Sequence, residues 1–165
     1  RHRVLLLGGK THNLQLLRWV LGIVGVGKAV QVDDPAAALK LLGEENYHAV
    51  FCELDSQAQV EFVLAARRRD AMLNPTIPIF LLQGQVRRRQ VETARDSGAT
   101  DVLTTPISPR TVASKLRMAT KNPRPFIVAK EFFGPDRRSK ARPSFFGDER
   151  RKRTPKKTRY DLTQI

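Results

Sequence analysis

The 165-residue chain carries 30 Lys and Arg against 16 Asp and Glu, a net charge of +14, and 41% of its residues are hydrophobic. That apolar fraction suffices for one core, and no apolar run reaches the roughly 18 residues of a membrane span, which sets aside membrane insertion. The single cysteine, Cys52, excludes an internal disulfide and a cysteine-built zinc site, so a reducing cytoplasm is the expected location.

In chain order, Val4–Leu7 is a short continuous apolar run, as expected of a strand buried on both faces. It breaks at Gly8-Gly9, too soon for a signal peptide, and the missing initiator Met reads as trimming or a partial chain. Leu14, Leu17, Val20 and Leu21 follow at helical spacing, with Thr11 or Asn13 as cap. Gly22, Gly25 and Gly27 lack the lysine-serine ending of a phosphate loop and read as a helix-to-strand turn. Val30 and Val32 mark a second strand. Pro35 then starts a helix through Ala38, Leu39 and Leu42 that Gly43 is expected to close.

Ala49–Cys52 is the third strand, where Cys52 is expected to be a buried, inert thiol. A helix follows from Gln57 to Arg69, with Val60, Val63 and Leu64 inward. Ile77–Leu82 is the fourth strand, residues 86–96 a helix stopped by Gly98, Val102-Leu103 a minimal fifth strand, and residues 109–119 a last helix burying Val112, Leu116 and Ala119. Five strand-then-helix units imply an open, five-stranded, doubly wound parallel sheet over residues 1–120.

From residue 121 onward the pattern changes. Residues 1–120 hold 16 basic and 11 acidic side chains, a net +5, whereas residues 121–165 hold 14 and 5, a net +9. Prolines punctuate this second stretch and apolar periodicity fades, so it is expected to be a mostly irregular basic tail without a core of its own.

In an open parallel sheet ligands gather at the carboxyl ends of the strands. Gly8, Gly9 and Lys10 stand there after strand one, Glu53 and Asp55 after strand three, Gln83 and Gly84 after strand four, and Thr104-Thr105-Pro106 after strand five. The order of elements, Ile77-Pro78-Ile79-Phe80, the run Ser97–Leu103 and the Pro106-Ile107 ending together resemble a bacterial response-regulator receiver domain, over about residues 3–120. The resemblance implies the flavodoxin-like receiver fold of two-component signalling.

The resemblance also implies an acidic pair after strand one and an aspartate after strand three holding magnesium, with a hydroxyl and a lysine beyond to sense the phosphate. This sequence departs at every position. Gly8 and Gly9 replace the acidic pair, Glu53 the phosphoacceptor, Gln83 the hydroxyl residue and Thr105 the lysine. The expectation is a degenerate acceptor site, a pseudo-receiver with no magnesium and no catalysis. Two alternatives remain at this point: Glu53 and Asp55 jointly holding a metal, or Glu53 imitating a phosphorylated aspartate. His2, His12 and His48 lack metal-site spacing, and His48 is expected to be a partly exposed, hydrogen-bonded residue.

The tail contains a near-repeat. Phe132-Phe133-Gly134-Pro135-Asp136-Arg137-Arg138 returns 13 residues later as Phe145-Phe146-Gly147-Asp148-Glu149-Arg150-Arg151. Phenyl rings that stack and arginines that fork onto phosphates or guanine edges suit a planar anion. This arginine-rich extension resembles those of receiver-like proteins that bind cyclic di-GMP, among them flagellar-motor effectors of alphaproteobacteria. Asp136, Arg137, Arg138, Asp148, Arg150 and Arg151 are the candidate ligand-binding residues. The competing reading is that both Phe pairs pin the tail onto the domain surface. A third, favoured by Lys152, Arg153, Lys156, Lys157 and Arg159, is phosphate contact with nucleic acid. Arg67-Arg68-Arg69 suits a helix C-terminus, whereas Arg87-Arg88-Arg89 opens a helix against its dipole and is the more suggestive of a partner surface.

Overall fold

The computed structural model describes residues 2–84 and 87–137 and, for the backbone alone, 156–158. Five βα units build the sheet: β1 (Arg3–Leu7), α1 (His12–Ile23), β2 (Lys28–Val32), α2 (Pro35–Glu44), β3 (Ala49–Cys52), α3 (Ser56–Ala66), β4 (Ile79–Gln83), α4 (Arg88–Ser97), β5 (Asp101–Thr104) and α5 (Pro109–Lys121). All pairings are parallel, in the order β2-β1-β3-β4-β5. This is the open, doubly wound parallel sheet that the periodicity predicts.

Alternation along the strands divides the core in two. Val4, Leu6, Ala49, Phe51, Phe80, Leu82 and Leu103 face α1 and α5, where Leu14, Leu17, Val20, Leu21, Val112 and Ala119 meet them. Leu5, Leu7, Val50, Cys52, Ile79, Leu81 and Val102 face α2, α3 and α4. On the outer face of α1, Trp19 is 64% exposed, and Ile23 is exposed one turn beyond it.

Local signals set most boundaries. The Thr11 hydroxyl accepts from Leu14 N–H at the start of α1, Asp34 caps α2 with Pro35 in its first turn, and Gly98 ends α4 at φ 102°. Gly25, at φ 87°, lies in the turn between α1 and β2. Gly43 departs from its expected role, because α2 runs one residue past it and Glu45 makes the C-cap. The inward face of α3 is also rotated: Gln59, Phe62, Val63 and Ala66 are buried, while Leu64 is exposed.

Beyond α5 the chain is less irregular than its composition implies. β6 (Phe126–Ala129) and β7 (Phe132–Pro135) form an antiparallel hairpin, and the backbone of β8 (Lys156–Thr158) pairs with the other edge of β6. Apolar side chains in Phe126-Ile127-Val128 and Phe132-Phe133 supply what a small sheet needs; charged neighbours hide this from a composition count.

Candidate functional site

Register places the strand-end residues together. Leu7 pairs with both Val32 and Cys52, so Gly8, Gly9 and Glu53 leave the sheet side by side. Gly8 N–H donates to Val32 O at 2.9 Å and Glu53 N–H to Leu7 O at 2.8 Å. Gly8 sits at φ 146°, and a Cβ there would lie 2.6 Å from Glu53 O and 2.8 Å from Leu14 Cδ1. An aspartate is therefore sterically excluded from this backbone position, whereas Gly9 has open space around it.

Each oxygen of the Glu53 carboxylate accepts from a neutral donor. The Thr11 hydroxyl donates to Oε2, and Asn13 Nδ2 donates to Oε1 at 2.6 Å. The Gln31 amide donates to the carbonyls of Gly8 and Gly9, at 3.3 and 3.0 Å. Asp55 does not share the Glu53 environment; its Oδ1 accepts from Gln57 and Ala58 N–H as the N-cap of α3. Among the described residues no three His, Cys, Asp or Glu side chains gather as a metal site.

Beside it, the fully buried Gln59 donates to Cys52 O and Leu82 O at 3.0 and 2.9 Å and accepts from Gln83 Nε2 at 2.8 Å. An amide thus ties β3 to β4 and orients Gln83. Thr105 N–H donates to Gln83 O at 3.0 Å. The adjoining cleft, about 160 Å³ and lined by Ser56, Val60, Leu81, Gln83, Arg89 and Thr93, is smaller than drug-sized ligand sites. Burial pushes the Cys52 thiol up to about 12, assisted by the Glu53 charge, so it is a packed side chain and not a nucleophile.

Sequence reasoning placed Gly8, Gly9, Glu53, Gln83 and Thr105 correctly at the strand ends but treated Thr11 and Asn13 only as caps and passed over Gln31 and Gln59. The one available signal was Gln59, a polar residue at an inward helical position. His48 is half-buried, with its Nδ1 3.1 Å from Arg3 N, and its ring meets His2 edge to face at 5.0 Å.

A second polar cluster lies at the opposite, amino-terminal end of the strands. Arg67, only 4% exposed, is not part of a solvated helix end as its neighbours suggest. Its Nε donates to Gly98 O at 2.9 Å, and Nη1 to Pro75 O and Ile77 O at 2.8 and 2.7 Å. Burial pulls its pKa down from 12.5 to about 9. The hairpin covers this cluster: the Arg67 guanidinium lies 5.1 Å from the Phe126 ring, that of Arg69 5.7 Å from Phe133, and that of Arg137 4.6 Å from Phe132. Arg137 also pairs with Asp96 of α4.

Of the six candidate ligand residues, Asp136 is 6% exposed with its N–H on Pro125 O, and Arg137 is engaged as above. Arg138, Asp148, Arg150 and Arg151 lie outside the described residues. Arg87, Arg88 and Arg89 are exposed at the start of α4, where Arg88 pairs with Glu92.

No family profile and no curated protein matches the sequence. Solved structures match the fold. The receiver domain of a sensor histidine kinase from Pseudomonas aeruginosa is 20% identical with a TM-score of 0.59, the match covering 70% of this chain and 94% of that one. The chemotaxis protein CheY4 of Vibrio cholerae is 20% identical with a TM-score of 0.60, covering 70% and 96%. An atypical orphan response regulator, whose description names a phosphorylation-independent regulatory mechanism, is 16% identical with a TM-score of 0.61, covering 73% and 96%. Residues of the five βα units thus adopt the receiver fold. No helix among the described residues is long and apolar enough to cross a membrane.

Proposed function

We propose that this chain is a non-catalytic signal-transduction adaptor of the bacterial cytoplasm, a receiver fold that takes no phosphate and acts through protein–protein contacts. The observation that carries this reading is the Glu53 carboxylate, whose two oxygens accept from Thr11 and Asn13 beside a Gly8 backbone with no room for an aspartate. Magnesium needs several oxygen ligands in octahedral array, and the acidic pair that would supply them is replaced by two glycines. The orphan regulator described above shows that phosphorylation independence exists on this fold. Incubation with acetyl phosphate and magnesium, followed by intact-mass measurement, should give no phosphoryl adduct; an adduct on Glu53 would overturn the reading.

The partner in this reading is a signalling or flagellar-motor protein. The basic residues after Arg137 meet an anion, and cyclic di-GMP fits the pairing of arginines, carboxylate and phenyl rings in Arg138, Phe145, Phe146, Asp148, Arg150 and Arg151. Calorimetric titration should show guanine-selective, saturable binding lost on Arg150→Ala with Arg151→Ala. The rival is nucleic acid held by the Lys152–Arg159 stretch, for which binding would weaken with salt at a log–log slope of about −0.9 per neutralised DNA phosphate.

A further inference from the structure

The first copy of the near-repeat, over Phe132–Arg137, has a defined seat at the base of the sheet. Phe133 packs on Phe126 with ring centroids 5.2 Å apart and under Arg69; Phe132 packs under Arg137. Gly134 is required: a Cβ on it would stand 2.8 Å from Gly98 Cα, and a Cβ on Gly98 would stand 2.8 Å from Phe133 O. The two glycines let β7 approach the α4 C-terminus backbone to backbone. Asp136 is buried, and Arg137 reaches across to Asp96.

The sequence Phe145-Phe146-Gly147-Asp148-Glu149-Arg150 keeps the aromatic pair, the glycine, the acid and the arginine at the same spacing. Glu149 stands where Asp136 does and Arg150 where Arg137 does. We infer that the seat formed by Arg69, Asp96, Gly98 and Phe126 is a docking site for this motif, and that residues 145–150 of the same chain compete with residues 132–137 for it. The tether favours the same molecule, because a short linker gives an effective concentration in the millimolar range. The seat then has two alternative occupants, which differ in the segment they leave exposed to an anionic ligand or partner. This inference is independent of whether Glu53 accepts phosphate.

The test uses the full chain and the amide resonance of Gly98, which Phe133 borders. Gly134→Val expels the first copy. If the second copy takes its place, Gly98 moves to a new position that differs from that in Gly134→Val with Gly147→Val, where the seat is empty. In the Gly134→Val background, Arg150→Glu should move Gly98 part of the way toward the empty-seat position and Asp96→Arg with Arg150→Glu should reverse that movement, which lost packing alone would not do. Identical Gly98 positions in the single and double glycine variants would overturn the inference. A position that changes on about hundredfold dilution would overturn the assignment to the same chain. Should Gly134→Val fail to fold, a synthetic peptide of residues 143–153 is titrated into a chain carrying Phe133→Ala and Gly147→Val, in which both tethered copies are weakened. A saturable Gly98 shift, absent with the Gly147→Val peptide, is expected; no shift at millimolar peptide refutes the docking site.

Discussion

The two ends of the sheet use charge in opposite ways. At the carboxyl end, the position expected to hold chemistry carries one carboxylate held by hydroxyl and amide donors, and glycine where further acids would stand. At the amino end, where nothing was expected, a buried guanidinium fixes three backbone carbonyls and carries a hairpin on its face. A fold family's site position thus predicts where to look but not where the polar work is done.

The largest expected effect comes from trying to rebuild the missing acidic pair. Gly8→Asp should cost about 3 kcal/mol or more, since its Cβ meets the Glu53 carbonyl, while Gly9→Asp should stay within about 0.5 kcal/mol. Urea melts of both variants would show it; equal stabilities would contradict the steric account. Arg67→Met should cost about 3 kcal/mol by leaving three carbonyls unpaired, and should release the hairpin, read as faster amide exchange in β6 and β7.

A pH effect of about 1 kcal/mol per unit is expected from Cys52. Its folded pKa, raised from 9.0 to about 12, lies above the unfolded value, so the folded state keeps a proton that the unfolded state loses. The contribution is complete below pH 9 and falls away as pH rises toward 12. The stability gap between the native chain and Cys52→Ala should therefore narrow from pH 8 to pH 11. The opposite tendency of Arg67 is common to both and cancels.

Smaller still, Glu53→Gln should cost about 1 kcal/mol, because its new NH₂ faces the donors of Thr11 or Asn13. Arg137→Ala should cost no more than about 0.5 kcal/mol by thermal melting, since its pair with Asp96 is half exposed. If Arg137 outweighs Arg67, the base of the sheet is held from outside and the comparison fails.

What was legible in the sequence was local. The spacing of Leu14, Leu17, Val20 and Leu21 gave the buried face of α1, and Val112, Leu116 and Ala119 lie on one face of α5 as expected. Asp34-Pro35 and Gly98 set helix ends through conformations a single residue enforces. α3 misled because apolar residues surround it, so Val60 and Leu64 competed with Phe62 and Gln59 for the inward positions. The bonds of Thr11 and Asn13 to Glu53 cross about forty residues, as do the contacts of Arg67 with the hairpin across a longer span, and no periodicity encodes those. The reading that the Phe pairs pin the tail describes the first pair; the second lies outside the described residues.

Trp19 is the chain's sole tryptophan and stands outward on α1. Its indole already meets water in the native state, so unfolding should change its emission wavelength little, and denaturation is better followed by circular dichroism. The same exposure makes it an intrinsic optical probe: a protein that covers α1 would shift the emission to the blue without any attached dye, whereas a ligand that does not touch α1 would leave it unchanged.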